Sequence, residues 1–206
     1  HYADQAGREE DRKQKAGFGM IKKEIRVLGI AATSLSRGSA IPTQVVGVVY
    51  RGNRWLEGVM RTIVEPDEAD LTPRIASMIA SSPHFPQLRV IVTDEVVIKH
   101  GRYFDIETLS RRTTLPVIVV LEKMIPAIHL QKRRIPQRRR RVHAKSTFMK
   151  WKAGARTFFV YSTGLGGMDL NEILQVCSSR EGVPEAARVA RIIATSLEKF
   201  MLRSSG

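Results

Sequence analysis

The stretch IRVLGIAA, at residues 25–32, opens the part of the chain that decides the fold. Its apolar and β-branched residues are typical of a buried strand, and TQVVGVVY at residues 43–50 repeats that character after a turn containing serine, glycine and proline. The dipeptide Gly52-Asn53 then precedes a third run, from Trp55 to Val64, in which apolar and polar residues mix as in a half-exposed strand. These residues predict a three-stranded meander.

Two more strands follow, each preceded by helical sequence. Thr72-Pro73 is typical of an N-cap followed by proline in the first turn, and Ser81-Ser82-Pro83 predicts the end of that helix. LRVIVT at residues 88–93 predicts a buried strand, residues 105–112 a helix, and LPVIVVL at residues 115–121 another strand. Because adjacent strands joined through a helix are usually parallel, this region predicts a parallel βαβ unit.

The predicted order is strand, strand, strand, helix, strand, helix, strand, which is the order of an α/β ribonuclease H-like mixed sheet. We further expect a strand at residues 158–161, a short helix at 169–176 and an amphipathic C-terminal helix at 184–201. Residues 1–19 are polar and lack apolar periodicity, so we interpret them as an N-terminal extension. Residues 20–206 are assigned to a single domain.

Composition narrows the classes of function. With 206 residues, 43% of them hydrophobic, the chain is long and apolar enough to bury a core. The 34 Lys and Arg residues outnumber 20 acidic ones, and a net charge of +14 favours a polyanionic partner such as nucleic acid. Cys177 is the single cysteine, which excludes an intrachain disulfide and a cysteine-based zinc site and favours a reducing, cytoplasmic location. No apolar run approaches the roughly 18 to 20 residues of a membrane span, so membrane insertion is not expected.

Most of the positive charge lies in one segment, the basic arm at residues 123–156. This segment contains twelve Lys or Arg residues and no acidic residue, so it carries +12 of the net +14. Arginine forks bind phosphate in a bidentate manner, and the aromatic rings of Phe148 and Trp151 could stack on unpaired bases. A merely solvated loop is the alternative, but four consecutive arginines repel one another unless an anion neutralises them. The predicted nucleic-acid contacts are Lys132, Arg133, Arg134, Arg138, Arg139, Arg140, Arg141, Lys145, Lys150, Trp151 and Lys152.

Seven blocks of sequence follow one another in a characteristic order. They are KKEIRVLGI at 22–30, VVGVVYRG at 45–52, WLEGVM at 55–60, LRVIVTD at 88–94, DIETL at 105–109, LPVIVV at 115–120 and GVPEAARVARIIA at 182–194. Together these blocks resemble the archaeal endonuclease dU family, which is related to endonuclease V, and the resemblance covers roughly residues 22–200. It implies a ribonuclease H-like fold and metal-dependent cutting of DNA at deaminated bases such as deoxyuridine.

The chain departs from the family pattern where the resemblance implies the metal ligands. In that family a pair of aspartates follows the Leu-Gly-Ile sequence of the first strand, whereas this chain has Ala31 and Ala32. Asp94 matches the second carboxylate, but Glu95 follows it where the family usually has glycine. Nucleases of this fold need converging carboxylates to hold Mg²⁺ on the scissile phosphate. We therefore expect Asp94 to be a weak or vestigial catalytic residue and metal ligand, with Mg²⁺ or Mn²⁺ as the cofactor only if activity survives.

Other candidate sites have structural alternatives. Asp105 is a possible ligand but more simply caps the helix that follows it. The acidic cluster at residues 65–70 suits a helix N-terminus as well as it suits a metal. Residues 163–167, TGLGG, lack the lysine of a phosphate-binding loop and predict a turn. Cys177 has no matching Cys/His motif and predicts a packing residue.

Three functions remain open at this point. The first is a nucleic-acid-binding protein on an endonuclease V-like fold with a degenerate metal site, including an RNA binder or a component of a ribonucleoprotein particle such as the ribosome. The second is an active metal-dependent endonuclease for deaminated DNA, whose activity would depend on Asp94. The third is a partner for another protein, which would not require the basic arm. The charge and the loss of the first-strand aspartates favour the first.

Overall fold

The computed structural model describes residues 24–33, 42–95, 97–98, 102–123, 146–179 and 181–204. These residues form nine strands, four α-helices and a short 3-10 helix at Phe85–Gln87. The strands are β1 Arg26–Ala32, β2 Thr43–Arg51, β3 Trp55–Val64, β4 Val90–Thr93, β5 Val97–Ile98, β6 Arg102–Tyr103, β7 Val117–Leu121, β8 Ser146–Ala153 and β9 Arg156–Thr163. The helices are α1 Thr72–Ala80, α2 Ile106–Thr113, α3 Gly167–Cys177 and α4 Glu185–Ser204.

Seven strands form one mixed sheet in the order β3-β2-β1-β4-β7-β9-β8. The meander β1–β3 is antiparallel, as predicted, and β1, β4 and β7 are parallel neighbours. β9 returns antiparallel to β7, and β8 pairs with β9 to form the far edge. The α/β ribonuclease H-like fold class is therefore confirmed, with the parallel βαβ unit where the sequence predicts it.

Helices cover the two faces of the sheet in pairs. α1 and α2 pack on one face, where Ile75 and Leu109 join Leu28 and Ile91 in a buried cluster. α3 and α4 pack on the other face, which buries alternate residues of the same strands, such as Val27 and Val90. The parallel strands are buried on both faces because each side chain row meets a helix.

The contact between α4 and β1 is unusually close. A Cβ atom added at Gly29 would lie 2.0 Å from the carbonyl carbon of Ala186, so only glycine permits this backbone approach. α4 presents Ala187, Ala190 and Ala194 to the sheet, all nearly or fully buried. Because both elements have small residues where they meet, α4 packs directly across β1. The side chains that follow along α4 therefore lie at the ends of the central strands.

The structure differs from the sequence prediction in a few places. Residues 146–153, which the sequence analysis assigned to the basic arm, form strand β8. This strand pairs with β9, and the charged residues of the segment obscured the alternation that predicts a strand. The N-cap of α1 is Leu71 and not Thr72, because the carboxylate of Asp70 accepts hydrogen bonds from both the backbone N–H and the hydroxyl of Thr72. Strands β5 and β6 form a separate two-stranded ribbon that the sequence prediction missed. Among the residues described, no helix is long and apolar enough to cross a bilayer.

Candidate functional site

The candidate site lies where the central strands β1 and β4 end side by side. Their parallel register pairs Ile30 with Thr93, so the residues that follow these two positions emerge at the same edge of the sheet. On β1 these are Ala31 and Ala32, which are 1% and 3% exposed. On the β4 side they are Asp94 and Glu95, the carboxylates that the sequence singled out.

Arg191 of α4 binds both carboxylates. Its Nη2 lies 2.6 Å from Oδ1 of Asp94 and 2.7 Å from Oε1 of Glu95, and its Nε donates to Oδ2 of Asp94 at 3.3 Å. A longer contact of 3.4 Å joins its Nη1 to the backbone carbonyl of Ala32. The guanidinium thus makes a two-pronged contact with Asp94 while bridging to Glu95, the geometry in which arginine binds carboxylates most strongly.

Glu95 also contacts strand β1. Its Oε1 accepts a hydrogen bond from the backbone N–H of Ala32 at 3.2 Å. Burial raises the pKa of Glu95, and the positive charge of Arg191 and its hydrogen bond offset only part of that rise. For Arg191, burial acts to lower the pKa, but the hydrogen bond to Asp94 and the charges of both carboxylates outweigh it and raise the pKa above its ordinary value. The guanidinium therefore stays charged and holds the cluster together.

The residues at this site do not fit a divalent metal ion. Mg²⁺ and Mn²⁺ are held by several converging oxygen ligands, whereas the end of β1 carries only the methyl groups of Ala31 and Ala32, which pack into the cores on opposite faces of the sheet. The two carboxylates present are already paired with one guanidinium within hydrogen-bond distance. Within the described ranges, no group of three or more His, Cys, Asp or Glu side chains is arranged to hold a metal. We refer to Asp94, Glu95 and Arg191 as the arginine–carboxylate cluster.

The other acidic candidates have local structural partners. Asp105 is the N-cap of α2, and its side chain accepts a hydrogen bond from the N–H of Thr108 at 2.6 Å. In the acidic stretch before α1, Glu68 pairs with Arg74 at 2.9 Å, and Asp70 binds the start of the helix. These contacts account for Asp105, Glu68 and Asp70 without a metal.

The predicted nucleic-acid contacts divide into three groups. Seven positions, from Lys132 to Arg141, and also Lys145, lie outside the described residues. Lys150 and Lys152 are exposed on β8. Trp151 points to the opposite face, is 7% exposed and packs on Phe158 with ring centroids 5.9 Å apart. The prediction that Trp151 stacks on bases is therefore corrected: alternation along β8 places its ring in the core.

Two further sequence expectations hold. Cys177 is fully buried at the end of α3, and burial raises the pKa of its thiol to about 12, as expected of a packing residue. The turn predicted at residues 163–167 is shorter in the structure, where residues 164–166 connect β9 to α3, Gly164 has a φ of 77° and Gly166 is the N-cap.

Sequence reasoning missed Arg191. The one available signal was its place in α4, where Arg188 and Arg191 directly follow Ala187 and Ala190 of the stripe of small residues that ends at Ala194. A cation beside a face that packs on a sheet must find an anion or reach water. Its partners lie 97 and 96 positions earlier in the chain, so only the folded arrangement identifies them.

Comparison with known proteins agrees with this fold and its order of elements. A family model described as endonuclease dU matches residues 23–198. The chain belongs to the endonuclease dU family. A UPF0215 protein from Methanothermobacter thermautotrophicus is 35% identical over 195 residues, covering 87% of this chain and 91% of that protein.

Solved structures place this member of the endonuclease dU family among endonuclease V-like folds. A protein of unknown function from Archaeoglobus fulgidus superposes with a TM-score of 0.65 at 22% identity, covering 84% of this chain and 98% of that one. Endonuclease V from Ciona intestinalis, solved in complex with a 24mer DNA containing an inosine followed by a ribo-adenosine, gives a TM-score of 0.58 at 14% identity, covering 98% and 100%. These likenesses establish the fold.

Proposed function

We propose that this protein binds nucleic acid without metal-dependent cleavage. The observation that carries the proposal is the arginine–carboxylate cluster, in which Arg191 occupies the carboxylates that a metal would need. A guanidinium can pair with Asp94 and Glu95, but it cannot activate water or bridge to the scissile phosphate as a divalent ion does. The fold is thereby kept while the means of catalysis is removed.

Nucleic acid as the partner is supported by charge and by kinship. The net charge is +14, and twelve of the cationic residues lie in the basic arm, which contains no acidic residue. Endonuclease V of the same fold has been solved with DNA. We favour RNA, including RNA within a ribonucleoprotein particle, because interleaved basic and aromatic residues suit unpaired bases and irregular phosphate backbones.

An active endonuclease for deaminated DNA is the second candidate, and family membership is the observation that favours it. It requires that Arg191 leave Asp94 and that a metal bind there with fewer carboxylates than usual. The two candidates differ in a property that can be measured directly: whether a divalent ion binds the folded protein and supports cleavage.

The test is a paired binding and cleavage assay on deoxyuridine-containing DNA, ordinary DNA and structured RNA. We expect tight binding that weakens steeply with salt, because cations bound to phosphates release counterions, and no cleavage with Mg²⁺ or Mn²⁺. Mn²⁺ is also expected to leave the melting temperature unchanged, whereas a ligand at 100 times its Kd would add roughly 2.7 kcal/mol of stability.

The contradicting result is specific cleavage that disappears in Asp94→Ala while binding remains. That outcome would establish the enzyme and refute the proposal. Absence of binding to all three polymers would refute both candidates.

A variant that reverses the proposed loss sharpens the test. Ala31→Asp combined with Arg191→Ala removes the guanidinium and restores one first-strand carboxylate beside Asp94. We expect this variant to gain stabilisation by Mn²⁺ that neither single substitution gives, because a metal needs both the added ligand and the freed carboxylates. Equal behaviour of the double variant and the parent protein would argue that the arginine–carboxylate cluster is not a replaced metal site.

A further inference from the structure

Among the described residues, one face of the sheet is exposed at its far edge, on strands β8 and β9. Alternate residues of β8 point to this side, and Phe148, Lys150 and Lys152 are all exposed there, with 54% exposure for the Phe148 side chain. From β9 the half-buried rings of Phe159 and Tyr161 point to the same side. We call these five residues the β8–β9 platform.

The rings of the β8–β9 platform are arranged side by side. Phe148 stacks on Phe159 with centroids 6.4 Å apart and an interplanar angle of 20°. The Nζ of Lys150, whose residue is paired directly with Phe159 across the two strands, lies 5.9 Å from the centre of the Phe159 ring. The underlying rings hold Phe148 in place while its outer surface remains open, which is the form of an aromatic stacking surface.

Two acidic side chains near this surface have partners within the protein. Glu107 of α2 accepts a hydrogen bond from the Tyr161 hydroxyl at 3.4 Å, and Glu122 pairs with Arg156. Strand β8 contains no acidic residue, and Lys150 and Lys152 are two positions apart on its open side. The charge of the β8–β9 platform is thus positive along the direction of the strand.

We propose that the β8–β9 platform binds single-stranded nucleic acid, with a base stacked on Phe148 and phosphates contacted by Lys150 and Lys152. This proposal rests on the proposed function, which it makes specific as to strandedness and site. A double helix keeps its bases stacked internally and offers no free base face to Phe148. A single strand offers both an open base face and a flexible backbone, the combination that aromatic-basic surfaces bind.

The first experiment measures binding of single-stranded RNA, single-stranded DNA and duplex DNA to Phe148→Ala and Phe148→Tyr. We expect Phe148→Ala to weaken single-strand binding by roughly 5- to 150-fold, as loss of a stacking ring does, while Phe148→Tyr retains it. Duplex binding should change less than twofold in both. The RNA and DNA arms identify which single strand is preferred.

The second experiment tests the lysines against a matched control. Lys150→Gln combined with Lys152→Gln removes two charges from the platform, and Lys199→Gln combined with Arg203→Gln removes two exposed charges from the end of α4. For single strands we expect the platform pair to reduce the slope of log affinity against log salt by about 1.4, from about 0.7 per phosphate contact. The α4 pair should leave the slope unchanged.

Three outcomes separate the two proposals. If the parent protein binds no nucleic acid, the proposed function fails and this inference with it. If the parent protein binds but the platform variants bind single strands equally well, only this inference is overturned. If Phe148→Ala weakens duplex and single-strand binding alike, the platform does not discriminate strandedness and the inference is likewise wrong. Far-ultraviolet circular dichroism of each variant checks that the fold is intact.

Discussion

Replacing Arg191 by alanine tests the arginine–carboxylate cluster most directly. The substitution leaves the carboxyl groups of Asp94 and Glu95 adjacent and without their shared cation. Removing one partner of a fully buried ion pair costs about 3 to 5 kcal/mol, and an exposed pair contributes only about 0.2 to 1 kcal/mol. Here the three side chains are 29%, 30% and 20% exposed, so water screens them in part. We expect a loss of about 2 to 3 kcal/mol in the free energy of unfolding.

The assay is urea unfolding followed by circular dichroism at neutral pH. Arg203→Ala is the matched control, because Arg203 is an exposed arginine in the last turn of the same helix and should cost less than about 0.5 kcal/mol. Arg191→Lys should lie between the two, since a single ammonium cannot reproduce the two-pronged contact with Asp94. The m-value should stay constant if only the folded state is affected.

A double-mutant cycle assigns the loss to the pair itself. The coupling between Arg191→Ala and Asp94→Ala should be at least about 1 kcal/mol, in the range of residues that share a hydrogen-bonded ion pair. The cluster does not stabilise the fold if Arg191→Ala lowers the free energy of unfolding no more than Arg203→Ala does, or if the coupling is near zero. Either result would contradict the proposal that Arg191 takes the place of a metal.

Three further predictions concern other parts of the molecule. In thermal unfolding, Gly29→Ala should lower the unfolding free energy by about 3 kcal/mol or more, because its Cβ would overlap the Ala186 backbone at 2.0 Å. The control is Gly167→Ala, whose added Cβ meets nothing within 4 Å and should cost nothing. Burial raises the folded-state pKa of Glu95, so its contribution is full below the unfolded pKa of about 4.3 and is lost as pH rises through the folded value. The stability of the parent protein relative to Glu95→Gln should therefore fall as the pH rises above about 4.3 in urea titrations, and parallel curves would contradict this. Cys177, with a thiol pKa of about 12, should resist iodoacetamide at pH 8 until urea unfolds the chain. Mass spectrometry is the measurement, and labelling of the folded protein would contradict this prediction.

Much of the fold was predictable because it depends on local sequence. The alternation and β-branching of residues 43–50 and the proline of the α1 first turn act over a few residues, and those elements begin and end close to their predicted positions. The cap at Asp105 is equally local, since its carboxylate reaches an N–H three residues away. The family resemblance covered the same span as the family match.

The positions of Trp151 and Lys150 show where local sequence was insufficient. Composition placed both in one basic arm, and a strand was not foreseen there because charge masks its alternation. Pairing with β9 makes the segment a strand, and packing of α3 on one face then buries Trp151 while Lys150 stays exposed. Which of two alternating residues enters the core depends on which face is covered, and that is a tertiary property.

By itself the sequence determined the order of strands and helices, the excess of positive charge and the replacement of two expected aspartates by Ala31 and Ala32, since each of these is read from neighbouring residues. Only the tertiary structure decided which side chain binds Asp94. The close contact of α4 with Gly29 brings Arg191 across nearly a hundred residues of chain to the end of β4. An ion pair depends on distance in space, which sequence separation does not reveal.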